Sequence, residues 1–431
     1  MARESVGIGL LGCGIVGSGA VRHLLREADA VARAVGAPVQ IRRVAVRNLS
    51  KKREVDDLDL SLFTREPADV VADPGVDLVV ECMGGIEPAR SCILQALGAG
   101  KPVVTANKEL LSTLGAELFD AADGMGVDLY YEAAVGGGIP LMRPLKESLA
   151  GERVRRVIGI VNGTTNYILT RMSEAGLSFT EALAEAERLG YAEEDPTADI
   201  EGFDAAAKAA IIASVAFRSR VVAGDVYREG ISHVTHRDIE FAQRLGYTVK
   251  LVAIAEEQDG EIAVRVHPAM LPNDHPLASV RDSFNAVFVE GASVGDLMFY
   301  GRGAGGDPTG SAVVGDIVAA ARHIVGGGRG LGCTCYFEKR VRPIDEMEAQ
   351  YYLLLSVQDL PGVLAQVASA FGKHGVSIRS VWQEGYGDEA QLVMVTHRGR
   401  EASLQATVDE LGMLDVVTKV VSVLRVEGEE E

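Results

Sequence analysis

Residues 201–217, EGFDAAAKAAIIASVAF, are the strongest candidate for a catalytic segment, because a lysine follows an aspartate by four positions in an otherwise apolar stretch. On a helix Asp204 and Lys208 share one face, which continues through Ile211 and Val215. The other side carries mostly alanines, so the pattern indicates a buried helix. An exposed salt bridge is the commoner meaning of D-x-x-x-K, but a surface helix should carry more polar residues. We therefore predict that Lys208 is desolvated, with its pKa lowered so that it can exchange protons near neutral pH.

Three further features offer polar groups for the same chemistry. Lys108 follows a predicted strand at 102–105, and ligands of parallel sheets bind beyond the carboxyl ends of the strands. A surface lysine at the start of a helix explains Lys108 equally well. Residues 191–201, YAEEDPTADIE, cluster carboxylates that can hold an ammonium group, although most such clusters are solvated loops. The glycines at 136–138 either leave main-chain carbonyls facing a cation or form a flexible turn.

A phosphate-binding loop is predicted at the N-terminus, where a buried strand at 6–11 runs into GCGIVG. In this G-x-G-x-x-G pattern Gly12 makes the turn and Gly14 lets the backbone approach a pyrophosphate. Gly17 packs the following helix, predicted at 18–35, against the strand, and the start of that helix faces the phosphate charge. The motif is weak alone, but a strand before it and a helix after it make it specific.

The next predicted strand, 40–46, bears on the choice of cofactor. An NAD-specific fold favours Asp or Glu at its end, to bind the ribose 2′-hydroxyl. This chain has Arg47 there, with the basic run KKR at 51–53, which suits the 2′-phosphate of NADP. A solvated basic loop is the alternative, and the distance from the glycine motif is longer than usual.

The alternation of strands and helices predicts an α/β fold divided into domains. We assign a Rossmann-type nucleotide-binding domain to 1–134 and an α+β domain to 135–332. The last helix of the second domain follows another glycine-rich loop, at 300–310, and should return to the cofactor. After a linker at 333–348, the order β-α-β-β-α-β predicts a ferredoxin-like domain at 349–427.

Composition excludes several classes of function. The 431 residues suggest two to four domains. The net charge of -19 argues against binding to nucleic acid or to an anionic membrane surface. The five cysteines are odd in number and scattered, which indicates no disulfide framework and fits a reducing, cytoplasmic location. No apolar run reaches the roughly 18 residues of a membrane span.

Taken together, the motifs resemble a known family. In order they are GCGIVG, TANK, EAAVGGGIP, NGTTNYIL, GYAEEDPTADIEGFDAAAK and GRGAGGDPT, followed by DLPGVLAQV. The sequence is similar to homoserine dehydrogenases of the long bacterial type, which end in an ACT domain. That family interconverts L-aspartate 4-semialdehyde and L-homoserine with NAD(P)(H), on the path to threonine and methionine. The resemblance makes 135–332 a catalytic and dimerisation domain and 349–427 an ACT domain.

The resemblance also implies roles for individual residues. Lys208 would donate a proton to the aldehyde oxygen, with Asp204 fixing its position and Lys108 beside it at the nicotinamide. Substrate would be held, chiefly by its ammonium group, by Tyr191, Glu193, Asp199 and Asp204, and at its carboxylate by Gly163 and Thr164. The cofactor would contact Gly12, Gly14, Ile15, Val16, Gly17, Arg47, Thr105, Lys108 and Gly305. A structural sodium ion would take oxygens from Glu132, Val135, Gly137 and Ile139.

Assembly and regulation follow from the same resemblance. Members of the family are dimers or tetramers, and ACT domains resemble modules that sense amino acids. We expect threonine to bind near Asp359 and Gly362, where backbone N–H groups between a strand and a helix can meet a carboxylate. A purely oligomerising role for this domain is the alternative.

Two other classes of protein share parts of this organisation. Other Rossmann–ACT oxidoreductases, such as arogenate or phosphoglycerate dehydrogenases, use a histidine-centred site, and no histidine here lies in a comparable motif. A non-catalytic amino-acid sensor could keep the fold, but the intact Lys108, Lys208 and G-x-G-x-x-G argue against it.

Overall fold

A parallel sheet organises the N-terminal part of the chain in this computed structural model, which describes residues 4–55, 58–385 and 390–428. Its strand order is β3-β2-β1-β4-β5-β6, and every neighbouring pair is parallel. The strands are β1 Val6–Leu11, β2 Val39–Ala45, β3 Phe63–Thr64, β4 Leu78–Glu81, β5 Val103–Thr105 and β6 Leu129–Tyr130. Strands β1 and β4 are buried along their whole length, as expected for a sheet covered on both faces. This confirms the predicted Rossmann-type architecture.

Helices cover this sheet and form one compact unit with it, made of residues 1–157, 207–224 and 285–339. Numbered in chain order, they are α1 Ile15–Arg26, α2 Ala28–Val35, α3 Pro67–Ala72, α4 Ala89–Gly98, α5 Lys108–Met125 and α11 Gly306–Gly326. The single helix expected at 18–35 is two helices that meet at Glu27. Helix α11 packs on α1 through glycines, since a Cβ added to Gly19 would lie 2.1 Å from the carbonyl oxygen of Gly306. The last helix before the C-terminal region therefore lies against the first.

Beyond β6 the chain makes a turn and then forms three further strands. Strand β6 ends at Tyr130, and Glu132–Ala134 form a 3₁₀ turn instead of continuing the strand. Strands β7 Val154–Ile160, β11 Phe284–Gly291 and β12 Gly295–Arg302 follow, in the order β12-β11-β7.

The second unit contains residues 158–206, 225–284 and the chain from 340 onward. Its helices include α6 Gly163–Ala175, α7 Phe179–Arg188, α8 Thr197–Ile200 and α10 His236–Arg244. Ser178 caps α7, because Ser178 and Glu181 form a reciprocal capping box. Helix α9, Phe203–Ala216, begins in this unit and continues into the residues of the first.

A mixed sheet runs through the second unit in the order β9-β10-β17-β13-β15-β14. Strands β8 Tyr227–Arg228, β9 Tyr247–Gln258 and β10 Glu261–Pro272 precede the C-terminal region. That region comprises β13 Glu348–Val357, α12 Val363–Lys373, β14 Ile378–Glu384, β15 Gln391–Thr396, β16 Gly399–Arg400, α13 Glu401–Leu411 and β17 Val417–Val426. The order matches the expected ferredoxin-like unit. In addition, β17 pairs in parallel with β10, joining Arg425 to Ala269, so the C-terminal region shares a sheet with residues before 284.

Across the described ranges, no helix combines the length and the apolar character needed to cross a bilayer.

Candidate active site

The glycine loop after β1 has the geometry that a bound pyrophosphate requires. Gly12 has φ +96°, and a Cβ there would lie 2.7 Å from the Cys82 carbonyl oxygen. A Cβ at Gly17 would lie 2.4 Å from the Gly12 carbonyl oxygen, whereas Gly14 faces open space. Helix α1 starts at Ile15, which is 79% exposed, and no side chain caps its first N–H groups. The loop therefore offers free donors and room for a phosphate at Gly14, Ile15 and Val16.

The basic residues after β2 take unequal positions around this loop. Arg47 is exposed just beyond the strand. The Arg53 guanidinium donates to the Cys13 carbonyl oxygen at 3.2 Å, and also to the carbonyl oxygens of Asn48 and Lys51. The structure thus brings Arg53, which sequence analysis placed only in the basic run, directly onto the glycine loop.

A buried carboxylate organises the carboxyl edge of the sheet at β4 and β5. Glu81 is 0% exposed, and it accepts hydrogen bonds from the Thr105 hydroxyl at 2.6 Å and from the backbone N–H groups of Met83 and Gly84. Burial raises the pKa of Glu81. Sequence analysis missed Glu81, although a carboxylate directly after the apolar residues LVV was a usable signal.

Lys108 is placed by the same network of hydrogen bonds. The Asn107 side chain caps α5 by accepting from Leu110, and its amide donates to the Gly85 carbonyl oxygen at 2.7 Å. The Asn107 N–H donates to the Thr105 hydroxyl oxygen at 3.1 Å. Lys108 is therefore the first residue of a firmly capped helix, at the edge where ligands of such sheets bind.

The second glycine-rich loop reaches the start of α1. Gly305, the residue before α11, has φ +120°, which only glycine adopts readily. A Cβ at Gly306 would lie 3.1 Å from the Ile15 carbonyl oxygen, and Asp307 accepts from Arg22 at 2.6 Å. Gly305 thus lies beside the glycine loop, as its assignment to the cofactor site requires.

In the loop assigned to a cation, the Glu132 carboxylate already accepts three hydrogen bonds from backbone N–H groups. The Glu132 side chain, 3% exposed, accepts from the N–H groups of Leu141, Met142 and Arg143 at 2.5, 2.7 and 2.9 Å. Within the described ranges no cluster of three or more His, Cys, Asp or Glu side chains could hold a metal. A cation here would depend on main-chain oxygens of Glu132, Val135, Gly137 and Ile139. Their turn is tight, because Gly136 and Gly137 have φ +76° and +56°.

In the second unit, Asn162 brings two of the predicted substrate carboxylates together. Its amide donates to Asp199 Oδ1 at 2.7 Å and to Asp204 Oδ2 at 2.8 Å. Its oxygen caps α6 by accepting from the Thr165 N–H at 2.9 Å, which fixes the orientation of the amide. Asn162 lies in the NGTTN motif but was not assigned to the site from sequence. Two carboxylates held by one neutral donor form a natural site for an ammonium group.

The other residues assigned to substrate lie around this pair with different surroundings. The Thr164 hydroxyl donates to the Tyr191 carbonyl oxygen at 2.7 Å, which ties α6 to the acidic segment. Gly163 is tightly packed, since a Cβ there would lie 2.7 Å from the Ser283 carbonyl oxygen. Glu193 is exposed.

Helix α9 confirms the prediction of a buried helix. Asp204 is 7% and Lys208 is 8% exposed, and the helix carries both on one face. At the other end of the chain, Gly362 has φ +92° and precedes α12, whose first turn has no side-chain cap. Asp359 is exposed in the same loop.

Comparisons with known proteins agree along the whole chain. The family model described as "Homoserine dehydrogenase, NAD binding domain" matches residues 12–132, and "Homoserine dehydrogenase" matches 140–318. The model "ACT domain" matches 351–412. A homoserine dehydrogenase of Mycobacterium tuberculosis is 52% identical over 436 residues, covering 99% of this chain and 98% of its own.

Solved structures give the same result. The crystal structure of a homoserine dehydrogenase from Thiobacillus denitrificans is similar with a TM-score of 0.93 and 39% identity, covering 98% of each chain. A hyperthermophilic archaeal homoserine dehydrogenase in complex with NADPH is similar with a TM-score of 0.63 and 30% identity, covering 73% of this chain and 97% of its own. With an NAD-binding domain, a catalytic domain and an ACT domain in this order, the chain belongs to the homoserine dehydrogenase family of oxidoreductases.

Proposed function

We propose that the chain interconverts L-aspartate 4-semialdehyde and L-homoserine with NADP as the preferred cofactor. The observation that carries the proposal is the pair Asp199 and Asp204, held together by Asn162 and followed on α9 by the buried Lys208. The substrate has an ammonium group, a carboxylate and a reacting carbonyl or hydroxyl group. Each finds a chemically matched residue in this part of the chain.

The carboxylates of Asp199 and Asp204 bind the substrate's ammonium group, and the exposed Glu193 and Tyr191 complete this end of the site. Gly163 and Thr164, at the start of α6, meet the substrate carboxylate, because a helix N-terminus offers N–H donors to an anion. Lys208 stabilises the charge that grows on the carbonyl oxygen and protonates it, and Lys108 supports it. Asp204 orients Lys208 from the preceding turn of the helix.

The nicotinamide cofactor, when bound, transfers the hydride. Gly12, Gly14, Ile15, Val16 and Gly17 hold its pyrophosphate, and Thr105 and Gly305 lie at the edges of the loop. Arg47 binds the 2′-phosphate, and Arg53, which is already hydrogen-bonded to the loop, supports it. The archaeal relative solved with NADPH favours the same cofactor here.

A structural sodium ion, homo-oligomeric assembly and feedback by threonine complete the proposal. Glu132, Val135, Gly137 and Ile139 hold the ion through main-chain oxygens, because the Glu132 carboxylate is engaged by three N–H groups. The chain forms a dimer or a tetramer in the cytoplasm. Threonine binds at the loop of Asp359 and Gly362 in the ACT domain, where helix α12 offers uncapped donors.

The test is a spectrophotometric assay at 340 nm with homoserine and either NADP or NAD, with and without threonine. Homoserine-dependent reduction of NADP, faster than that of NAD at low cofactor concentration and slowed by threonine, supports the proposal. A purified, folded chain that reduces neither cofactor with homoserine would refute the activity. Turnover that ignores millimolar threonine would refute only the choice of effector.

A further inference from the structure

We propose that Arg425 is a positioning residue for substrate binding, which acts through Glu229 on the segment that carries the substrate carboxylates. The inference rests on the proposed function, because it takes Asp199 and Asp204 as the ammonium-binding pair. Arg425 lies on β17, in the ACT region, and Glu229 follows β8, 196 positions earlier in the chain. Both belong to the second compact unit.

Arg425 is held in a buried, fully engaged arrangement. The residue is 5% exposed, and its Nη1 donates to Glu229 Oε1 at 2.7 Å. Its Nε donates to Glu401, and the guanidinium lies 5.2 Å and 5.5 Å from the ring centres of Tyr227 and Tyr351. Burial opposes its charge, but the two carboxylates outweigh burial and raise the pKa of Arg425 above its ordinary value. A buried charge paired in this way is costly to disrupt.

Glu229 depends on Arg425 for its charge and is fixed by its other neighbours. Burial disfavours the carboxylate, yet the neighbouring Arg425 guanidinium holds the pKa of Glu229 below its usual value. The Tyr227 hydroxyl also donates to this carboxylate, and the Glu229 N–H donates to the Val266 carbonyl oxygen at 2.8 Å. The Glu229 side chain is 34% exposed, so removing Arg425 would leave a partly buried carboxylate without its charged partner, and this carboxylate would turn further toward water.

The residues on either side of Glu229 contact Ile200, the last residue of α8, and Glu201, which follows it. Gly230 is buried, and a Cβ there would lie 2.4 Å from the Ile200 carbonyl oxygen and 2.7 Å from the Glu201 Cα. The Ile231 N–H donates to the Ile200 carbonyl oxygen at 2.8 Å, and Arg228 donates to the Glu201 carbonyl oxygen at 2.9 Å. We therefore expect a movement of Glu229 to displace Ile200 and Glu201 as well, because these contacts leave no free space between the two segments.

Ile200 and Glu201 lie between the two substrate carboxylates in the sequence. Asp199 immediately precedes Ile200, and Asp204 follows Glu201 by three positions. Both carboxylates must reach the single amide of Asn162, at 2.7 and 2.8 Å. A displacement of roughly 1 Å at such a site can cost about 100-fold in rate, because it moves the bound substrate out of the geometry for reaction.

The test compares steady-state kinetics of Arg425→Met, Glu229→Gln and Gly230→Ala with the wild-type chain. All three should raise the KM for homoserine by about tenfold or more, while the KM for NADP changes by less than about twofold. The kcat should fall by a smaller factor than the KM rises, because Asp204 also orients Lys208. Gly230→Ala keeps the ion pair and displaces Ile200 and Glu201 directly, so it should reproduce the same defect. Arg425→Lys should restore part of the affinity, because it keeps the charge.

The matched control is Arg244→Met. Arg244 forms an ion pair with Glu384 in the same unit. Like the Arg425–Glu229 pair, this pair joins the ACT region to a residue before 284. Unlike that pair, it is exposed on both sides, and its hydrogen bonds involve neither Ile200 nor Glu201. Its KM for homoserine should equal that of wild type.

A folded Arg425→Met variant with the wild-type KM for homoserine would overturn the inference. If that variant does not fold, unchanged KM values in Glu229→Gln and Gly230→Ala would overturn it instead, and raised values would support it. These outcomes presuppose turnover by the wild-type chain, so a failure of the proposed function shows separately, as the absence of that turnover.

Discussion

Replacing Asn162 by serine should separate substrate binding from folding. The Asn162 amide makes two charge-assisted hydrogen bonds, to Asp199 at 2.7 Å and to Asp204 at 2.8 Å, while its oxygen caps α6. Serine is as good a helix cap as asparagine but has no amide to bridge two carboxylates. The substitution therefore removes the bridge and keeps the cap.

The magnitude follows from the bonds that are lost. A hydrogen bond to a charged group contributes about 1.5–3 kcal/mol, and without the bridge the two like charges repel and separate. If the loss of one such bond appears in substrate affinity, the KM for homoserine rises by about 10- to 150-fold. The melting temperature should stay near that of wild type, whereas Asn162→Ala should also lose about 1 kcal/mol of stability with the cap.

The assay measures initial rates over a range of homoserine at saturating NADP, together with thermal denaturation and NADP binding by fluorescence. NADP binding serves as the internal control, because Asn162 is not among the residues proposed to hold the cofactor. An Asn162→Ser chain that is folded and binds homoserine as wild type does would refute the assignment of this pair to the substrate.

Three further substitutions and one truncation test the remaining assignments. Lys208→Ala should lower kcat by ~10²–10⁴-fold and leave NADP binding intact, and near-normal turnover would contradict its role as proton donor. Arg47→Ala should raise the KM for NADP far more than that for NAD, and an equal rise with both would mean that Arg47 serves only the fold. Burial, opposed by a nearby arginine, raises the pKa of Asp316 to about 8, above the roughly 3.9 of an unfolded aspartate, so the folded state binds more protons between these values. The free energy of unfolding should therefore fall as pH rises from about 4 to 8. In urea titrations at several pH values, Asp316→Asn should reduce this pH dependence, and an unchanged pH dependence would contradict the prediction. A chain ending near Arg342 should still turn over at saturating homoserine but lose inhibition by threonine, and retained inhibition would place the effector site elsewhere.

The parts of the site that are local in sequence were predictable. Helix α9 was assigned as buried from its apolar periodicity alone, and Asp204 and Lys208 are both buried on it. The glycine loop was identified from its spacing, because the turn, the close approach and the helix start all lie within a few residues of Gly12. In both cases the residues that must act together lie only a few positions apart in the sequence.

The residues that sequence analysis missed contact partners far away in the sequence, and short motif spacings carry no information about such contacts. Asn162 meets Asp204 over 42 positions and Glu81 meets Thr105 over 24, so their roles depend on how the elements pack. Arg53 reaches the Cys13 carbonyl oxygen over 40 positions, and nothing in the basic run distinguishes it from its neighbours. A buried polar residue needs partners, but the sequence does not say which ones.

The predicted domain boundary near residue 348 also illustrates that sequence motifs do not report contacts between distant parts of the chain. Motifs mark the ACT region as a complete module, yet β17 pairs with β10 and Glu427 pairs with Arg265, which is 2% exposed. A truncation at this boundary therefore removes the partner of a buried arginine as well as a regulatory site, and should lower the melting temperature. It also removes Arg425, so the truncated enzyme should need more homoserine for half-maximal rate even though its catalytic residues are intact. If regulation and substrate affinity share these contacts, an effector can alter the enzyme by moving β17 alone, because the strand already carries the charge on which Glu229 depends.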